Sequence, residues 1–217
     1  EHPVGGFGER GFVAYYLSAL VVRLTTGAWV AWEINHELRH GLLAFRLLRP
    51  IHPLVHFAAE NAAALPVRAL FALPIAVGSL WAMGPGAVTS DPLLLALFVV
   101  SVFGAWAINF LSQALIGSLG FFVHSSLSVW QVWFGLYMLL SGYLIPLSLF
   151  PPWLAAAGRV LPFRYMLSFP VELLLGAHGR AGALLHLSAQ WGIVAAITGL
   201  LVLVWRAGMR RFVAYGG

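Results

Sequence analysis

Five long apolar stretches dominate the sequence and constrain its fold more than any other feature. Each has about the 20 mostly apolar residues that a helix needs to cross the hydrocarbon core of a bilayer. None alternates apolar and polar residues with the period of two that a half-buried strand requires, and open sheet edges cannot face lipid. The sequence therefore predicts an all-α membrane protein, a polytopic helical bundle. Its five spans are predicted at about 12–32, 62–83, 92–116, 127–150 and 183–205.

Composition supports the same class and excludes several chemistries. Hydrophobic residues make up 61% of the 217 residues and charged residues 9%, against roughly 45–50% and about 25% in soluble domains. All 12 basic residues are arginine, and cysteine is absent. Within this sequence there is therefore no phosphate-binding loop ending in Gly-Lys-Ser/Thr, no lysine Schiff base and no disulfide or thiolate site. Residues 1–217 are interpreted as a single transmembrane domain.

Two of the connecting segments are unusual. Segment 33–61 carries three arginines and four histidines, and we predict that it is a cytoplasmic loop. Segment 150–182 is too apolar for an ordinary loop, yet four prolines interrupt it. Half-helices that dip into the bilayer from outside would fit, because irregular backbone at membrane depth has to be buried in protein.

The distribution of arginine predicts the orientation. Cytoplasmic segments are enriched in Lys and Arg. If residue 1 lies outside and the C-terminus lies in the cytoplasm, six arginines fall inside and four outside. The inner six are Arg39, Arg46, Arg49, Arg206, Arg210 and Arg211, and the outer four are Arg10, Arg159, Arg164 and Arg180.

The sharpest motif match is His36-Glu37-Leu38-Arg39-His40, which fits the zinc-binding pattern H-E-x-x-H. In that pattern two histidines one helical turn apart hold zinc and the glutamate acts as the base. An intramembrane zinc metalloprotease is therefore an alternative. With eight histidines and seven acids a chance match is plausible, and Glu60 is the nearest third ligand. We expect no metal here. A non-catalytic membrane scaffold subunit is a further alternative.

Three polar residues inside predicted spans form a candidate substrate pathway. Arg23 lies near the middle of the first span, where a charge is costly and usually functional unless the side chain snorkels to the interface. Asn109 and Gln113 lie one turn apart on the third span. They either line a path or form hydrogen bonds to a neighbouring helix. In the broken outer segment, Glu172 either pairs with Arg164 or Arg159 or reaches the headgroup layer.

Five blocks of sequence carry a resemblance to a known family. RHGLLAFRLLRPIHP (39–53) follows the first span, and SGYLIPLSLFPPW (141–153) closes a later one. LPFRY (161–165) and FPVELLLG (169–176) come next, and the sequence ends with WRAGMRRFVAYG (205–216). Together these blocks resemble the permease subunits of type-2 ATP-binding-cassette (ABC) exporters, in particular the branch labelled uncharacterised ABC transport permease.

The resemblance implies a function and a set of partners. Family members have six spans with both termini in the cytoplasm, so it implies that the first span and its amphipathic lead-in helix are missing from this sequence. It implies a permease that couples ATP hydrolysis by separate nucleotide-binding ATPase subunits to substrate export. A second permease subunit, identical or paralogous, and the lipid bilayer are the other partners; nucleic acid is not one. No cofactor and no catalytic residue are expected in this chain, since ATP and Mg²⁺ bind to the ATPase. The implied location is a bacterial cytoplasmic (inner) membrane.

The resemblance also assigns roles to individual residues. Those implied to couple to the nucleotide-binding subunit are Glu37, Arg39, Gly41, Phe45, Arg46, Leu48, Arg49 and Pro50. Those implied to form an outer gate are Pro151, Trp153, Pro162, Phe163, Pro170 and Glu172. Prolines 50 and 53 predict that a helix beginning near Glu33 ends by Arg49. We further expect that reversing the charges at Arg46 and Arg49 releases the ATPase without touching core packing.

Overall fold

The fold is all-α throughout the described part of the chain. The computed structural model describes residues 9–212 except 83, 85, 124, 155–157, 159 and 160, and it contains no strand among them. The predicted class, an all-α membrane bundle, is confirmed. The helices are α1 (Glu9–Thr26), α2 (Val30–Arg39), α3 (Leu43–Leu47), α4 (Pro53–Ala63), α5 (Leu65–Ala82), α6 (Pro92–Ser118), α7 (Ser126–Leu140), α8 (Phe163–Met166), α9 (Ser168–Leu174) and α10 (Arg180–Met209).

Three helical stretches of the described residues are long and apolar enough to cross a membrane. They are Arg10–Arg39, Pro92–Phe121 and Arg180–Met209, each of 30 residues. The last two extend the predicted spans 92–116 and 183–205 at one or both ends. The predicted span 62–83 coincides with α5, and α7 is a shorter apolar helix.

Helix α6 lies at the centre of the bundle. It packs against α1, α2, α7, α8, α9 and α10. Asp91 caps its N-terminus by accepting a hydrogen bond from the Leu93 N–H at 3.0 Å, and Pro92 occupies the first turn, where the missing N–H is not needed. Ala105, Ile108 and Ala114 are completely buried. Towards its N-terminal half α6 also exposes apolar side chains such as Val99 and Phe103, and a helix that is apolar on every side is typical of a membrane span.

The first predicted span is not one continuous helix. Residues 27–29 leave helical geometry, so that α1 ends at Thr26 and α2 begins at Val30. Gly27 weakens the helix locally because glycine loses more backbone entropy than other residues on entering a helix. The prediction of an unbroken helix over 12–32 is therefore wrong at this point.

The predicted helix from Glu33 to Arg49 is two helices. Helix α2 ends at Arg39, and Gly41 adopts a positive φ of 70° before α3 begins at Leu43. Glycine takes this left-handed conformation without the steric penalty of a Cβ atom. The predicted stop by Arg49 is confirmed, since α3 ends at Leu47 and α4 starts at Pro53.

The fourth predicted span is shorter than expected, and broken helices follow it. Helix α7 ends at Leu140, well before residue 150, because Gly142 turns the chain with a φ of 84°. The short helices α8 and α9 then lie inside the bundle, with Phe163, Phe169 and Leu173 buried. The prediction of short half-helices before the last span is confirmed.

Candidate functional site

The helix break at 27–29 is held open by polar side chains from α6. Asn109 Nδ2 donates to the Thr26 carbonyl at 2.7 Å, and Gln113 Nε2 donates to the Ala28 carbonyl at 2.8 Å. A helix end leaves its last carbonyls without intrahelical partners, and in lipid each unsatisfied group is costly. Of the two interpretations of Asn109 and Gln113, hydrogen bonding to a neighbouring helix is therefore present. Both residues also line a cavity beside the break.

Arg68 of α5 completes the same arrangement. Its guanidinium donates to the Gly27 carbonyl, so each of the three residues 26–28 has its carbonyl oxygen bonded by a side chain from another helix. A methyl group on Gly27 would lie 3.3 Å from Arg68 Nη1, which leaves little room for a side chain. Arg68 is not among the site residues predicted from the sequence. The signal that could have identified it is an arginine inside an otherwise apolar predicted span.

The cavity beside the break has a volume of about 320 Å³. The structure brings Arg23, Asn109 and Gln113 together on its wall, as a candidate substrate pathway requires. The guanidinium carbon of Arg23 lies 4.3 Å from the centre of the Tyr143 ring, a cation–π distance. The remaining surface is largely aromatic, with rings from Trp29, Trp130, Trp133, Phe134, Tyr137 and Tyr143.

Helix α2 runs from this cavity to the 33–53 segment and is tightly fixed to α6. A Cβ atom on Gly117 of α6 would lie 3.0 Å from Ile34 Cβ and 3.2 Å from the Ala31 carbonyl oxygen. Such a short distance shows that the two helices approach as closely as glycine allows. Asn35 Nδ2 donates to Ser126 Oγ at 2.6 Å and ties α2 to the start of α7.

Arg46 is the centre of the predicted coupling segment, and it points inward. Its Nε lies 2.7 Å from both carboxylate oxygens of Glu37 in α2, and its Nη1 lies 2.9 Å from Glu60 Oε2 in α4. Its guanidinium carbon sits 4.2 Å above the buried Phe57 ring. Arg46 therefore joins α2, α3 and α4. The expectation that reversing its charge leaves packing untouched is wrong.

Other residues of the segment form an exposed patch, which we call the coupling patch. It consists of Phe45, Leu48, Arg49 and Ile51. The three apolar side chains are 68%, 83% and 56% exposed, in that order. The predicted coupling residues Arg39 and Pro50 are also exposed, and Gly41 makes the turn between α2 and α3. Exposed apolar side chains next to basic ones are typical of a surface that a partner or lipid covers.

The side chains of the H-E-x-x-H pentad contact other protein side chains. The His36 and His40 rings lie 4.2 Å apart, but Glu37 is engaged by Arg46, and His36 stacks on Trp32 at 5.1 Å. Glu60, the nearest third ligand in the sequence, is 2.9 Å from Arg46. Over the described residues, no group of three or more His, Asp or Glu side chains is placed to hold a metal ion. The geometry does not favour the zinc protease alternative.

The residues of the predicted outer gate separate into two groups. Phe163 and Pro170 are buried in the bundle, and Glu172 lies beside them in α9. Pro151 and Trp153 are on the surface, the latter 72% exposed, while Pro162 precedes α8. The structure therefore places only part of this set in the interior.

Glu172 forms an ion cluster in this segment. It accepts hydrogen bonds from Arg164 Nη2 at 2.8 Å and His178 Nε2 at 2.7 Å. Arg164 was one of its two predicted partners, and the other, Arg159, lies outside the described residues. Burial by itself raises the pKa of the Glu172 carboxyl. The hydrogen bond from His178 and the charge of Arg164 outweigh that effect, so the pKa lies below its ordinary value.

Replacing Glu172 with glutamine should lower stability at neutral pH by about 2 kcal/mol, the order expected for hydrogen bonds to a charged group. A carboxyl with a depressed folded-state pKa stabilises the fold above its unfolded pKa, near 4.3. This contribution to stability is lost as the pH falls through the lower pKa of the carboxyl in the folded state. The difference in melting temperature between the wild type and Glu172→Gln should therefore disappear in acid. Asp91→Asn is the control, because it keeps a capping side chain and removes only an ion pair whose arginine is 64% exposed, so it should lower stability less than Glu172→Gln does. A difference in melting temperature between the wild type and Glu172→Gln that persists at low pH would contradict the assignment.

Fold and site together define a helical membrane protein with a broken first helix, a polar and aromatic cavity beside the break and a braced surface segment. A family model described as ABC-2 family transporter protein matches residues 3–216. This chain therefore belongs to the ABC-2 transporter family. Neither the search of curated proteins nor the search of solved structures found a match.

Proposed function

We propose that this chain is the membrane-spanning permease subunit of an ABC exporter. A second permease subunit would complete the transport path, and separate nucleotide-binding subunits would bind ATP and Mg²⁺ and hydrolyse the ATP. Membership of the ABC-2 family supports the permease role. The resemblance of the sequence to exporter permeases of bacterial cytoplasmic membranes supports the direction and the location.

The single observation that carries this proposal is the rigid connection between the coupling patch and the cavity. Arg46 joins α3 to Glu37 near the end of α2. Helix α2 has 10 residues, about 15 Å at the rise of an α-helix. Its other end is the break at 27–29, which borders the cavity. A force on the patch would therefore be transmitted along α2 and would act at a point where the helix is already interrupted.

The break offers a hinge for this motion. Among the described residues, only side-chain hydrogen bonds from α5 and α6 hold the carbonyls of residues 26–28. Helix α2 and the α6 surface that it packs on could therefore shift relative to α1 without breaking helical backbone bonds. Hinges are commonly a few residues at the end of an element that absorb a change in backbone angles. Closure of the ATPase subunits against the patch would then change the shape of the cavity.

Alanine at Phe45 and Leu48 should weaken binding of the nucleotide-binding subunit at least about tenfold. We expect these two side chains to be the anchors of the interface, and truncating an anchor costs about 1 kcal/mol or more. The double variant and the wild type would be purified with the ATPase subunit, and the affinity and substrate-stimulated ATPase rate measured. Leu185→Ala is the matched control, an exposed leucine on α10.

Three results would contradict the coupling role. Unchanged affinity in the double variant would leave the patch as a membrane-surface anchor. A wild type that never binds an ATPase would favour the scaffold alternative. Stoichiometric zinc with a proteolytic activity that His36→Ala abolishes would favour the metalloprotease.

The orientation that goes with this function places residue 1 outside and segment 33–61 and the C-terminus in the cytoplasm. The chain has no cysteine, so a cysteine introduced at Ser90 or at Ala214 is the only thiol in the chain that a reagent can label. A membrane-impermeant thiol reagent applied to intact cells should label the cysteine at 90 and not the one at 214. The cysteine-free parent gives the background, and labelling of both positions from one side would contradict the orientation.

A further inference from the structure

Arg23 lies deep in the membrane-crossing stretch. It is 13 residues beyond Arg10 along α1, about 20 Å at 1.5 Å per residue, within a helical stretch of Arg10–Arg39. A charge at this depth is costly and normally pairs with an opposite charge or serves a pathway.

No protein carboxylate pairs with Arg23 among the described residues. Its contact is with the Tyr143 ring, 4.3 Å away, and the described lining of the cavity contains no acidic side chain. The cavity therefore has an uncompensated positive charge. A ligand that carries a negative charge would supply the missing partner of the exposed Arg23 guanidinium.

The walls of the cavity favour a flat apolar body. Trp130, Trp133 and Phe134 from α7 and Trp29 from the helix break face the same space as Tyr137 and Tyr143. Aromatic rings stack on flat ligands in offset or edge-to-face arrangements. The volume of about 320 Å³ is within the range of small-molecule sites.

A buried acceptor adds a second polar feature. Gln113 is 6% exposed, and its Nε2 is occupied by the Ala28 carbonyl and by Asn109 Oδ1 at 3.0 Å. Its Oε1 is buried without a hydrogen-bond donor from the described residues. Because this oxygen has essentially no accessible surface, Arg23 rather than Gln113 is the polar group offered to a ligand.

Two further cavities adjoin the first one. Towards the start of α1, a space of about 500 Å³ shares Arg23 and Tyr143 and is otherwise lined by residues such as Tyr16 and Leu20. Towards α2, a space of about 170 Å³ shares Trp29, Gln113 and Trp130. The three cavities lie one after another along α1 and α2. The Arg23–Tyr143 pair lies between the two larger ones, of about 500 and 320 Å³.

We propose that this cavity binds an amphipathic organic anion, a sulfonate, phosphate or carboxylate joined to a flat apolar ring system, with its anionic group on Arg23. That such a molecule is the transported substrate rests on the proposed function; its binding does not. An anionic lipid headgroup is the competing occupant, and the lipid composition of the nanodiscs in the test distinguishes the two.

The test uses two probes with the same ring, 2-naphthalenesulfonate and the neutral 2-naphthol. Each would be titrated by calorimetry into the full chain in phosphatidylcholine nanodiscs, with empty nanodiscs as the blank. The wild type should bind the sulfonate roughly tenfold more tightly than the naphthol, as expected for one charge-assisted hydrogen bond. Arg23→Gln should remove that preference and leave naphthol binding nearly unchanged, whereas Arg23→Lys should keep most of it.

Arg10→Gln is the matched control, because Arg10 is an exposed arginine on the same helix outside the cavity. Trp130→Leu should weaken binding of both probes. Equal affinity of the two probes, or a sulfonate affinity that does not respond to Arg23→Gln, would overturn the proposal. Loss of sulfonate binding in nanodiscs that also contain phosphatidylglycerol would show a lipid site and would overturn it too.

Binding and coupling are measured separately. Sulfonate binding without a coupled ATPase would support the cavity assignment and contradict the exporter. A coupled ATPase whose permease shows no preference for the sulfonate would contradict only the cavity assignment.

Discussion

Replacing Gly142 with alanine should destabilise the bundle by about 2–4 kcal/mol. Gly142 has a φ of 84°, a left-handed conformation that costs an L-residue roughly 1–2 kcal/mol. An added Cβ atom would also overlap Ser168 Oγ and the Tyr15 hydroxyl, and overpacking of this kind costs about 1–3 kcal/mol. Thermal unfolding of the purified protein in a neutral detergent, followed by tryptophan fluorescence, measures the loss.

The effect should be large because Gly142 lies where three elements meet. The Tyr15 hydroxyl of α1 donates to the Gly142 carbonyl at 2.8 Å, and Ser168 Oγ of α9 donates to the Ser141 carbonyl at 2.6 Å. Any shift that relieves the overlap lengthens these buried hydrogen bonds. The turn after α7 therefore holds the broken 150–182 segment against α1.

Gly135→Ala is the matched control. It lies inside α7, and an added Cβ would meet nothing within 4 Å. This variant should be neutral or stabilised by up to about 1 kcal/mol, since alanine is the better helix former. Ser168→Ala should partly rescue Gly142→Ala because it removes one of the overlapping atoms. If Gly142→Ala melts like the wild type, the left-handed turn and its contacts are not as described.

Replacing Arg46 with methionine should have the second large effect, a loss of about 2–4 kcal/mol. Removing one partner of a buried ion pair costs about 3–5 kcal/mol, because the other charge stays buried. We expect the smaller loss of about 2–4 kcal/mol because the pair is not fully buried. The Arg46 and Glu37 side chains are 16% and 13% exposed. The coupling patch should become disordered relative to α2, so substrate-stimulated ATPase activity should fall even where the variant still binds the ATPase subunit.

Two further variants separate charge from packing at this position. Glu37→Gln combined with Arg46→Met leaves no unpaired buried charge and should recover part of the stability. Glu60→Gln should cost less than 1 kcal/mol, because the Glu60 side chain is 44% exposed and exposed ion pairs contribute little. Equal destabilisation by Arg46→Met and Glu60→Gln would show that Arg46 does not brace the segment.

The sequence by itself determined the class of fold, since few architectures satisfy the backbone in lipid. With no water to bond exposed N–H and C=O groups, a chain with five long apolar stretches has to fold as helices. The predicted spans at 92–116 and 183–205 correspond to α6 and α10 for this reason. Prolines and charges also identified the 33–61 and 150–182 segments as unusual, because both kinds of residue disrupt or avoid a membrane helix whatever their tertiary contacts.

Only the tertiary structure decided where the first helix breaks and what its polar residues do. A break at 27–29 is tolerable because Arg68, Asn109 and Gln113 reach its carbonyls, and their distance in sequence hides that relationship. For the same reason the sequence suggested that Arg46 is a surface charge, although its ion pairs with Glu37 and Glu60 hold the side chain inside the protein. Local sequence fixes which backbone groups lose their partners, and long-range packing alone determines which side chains replace them.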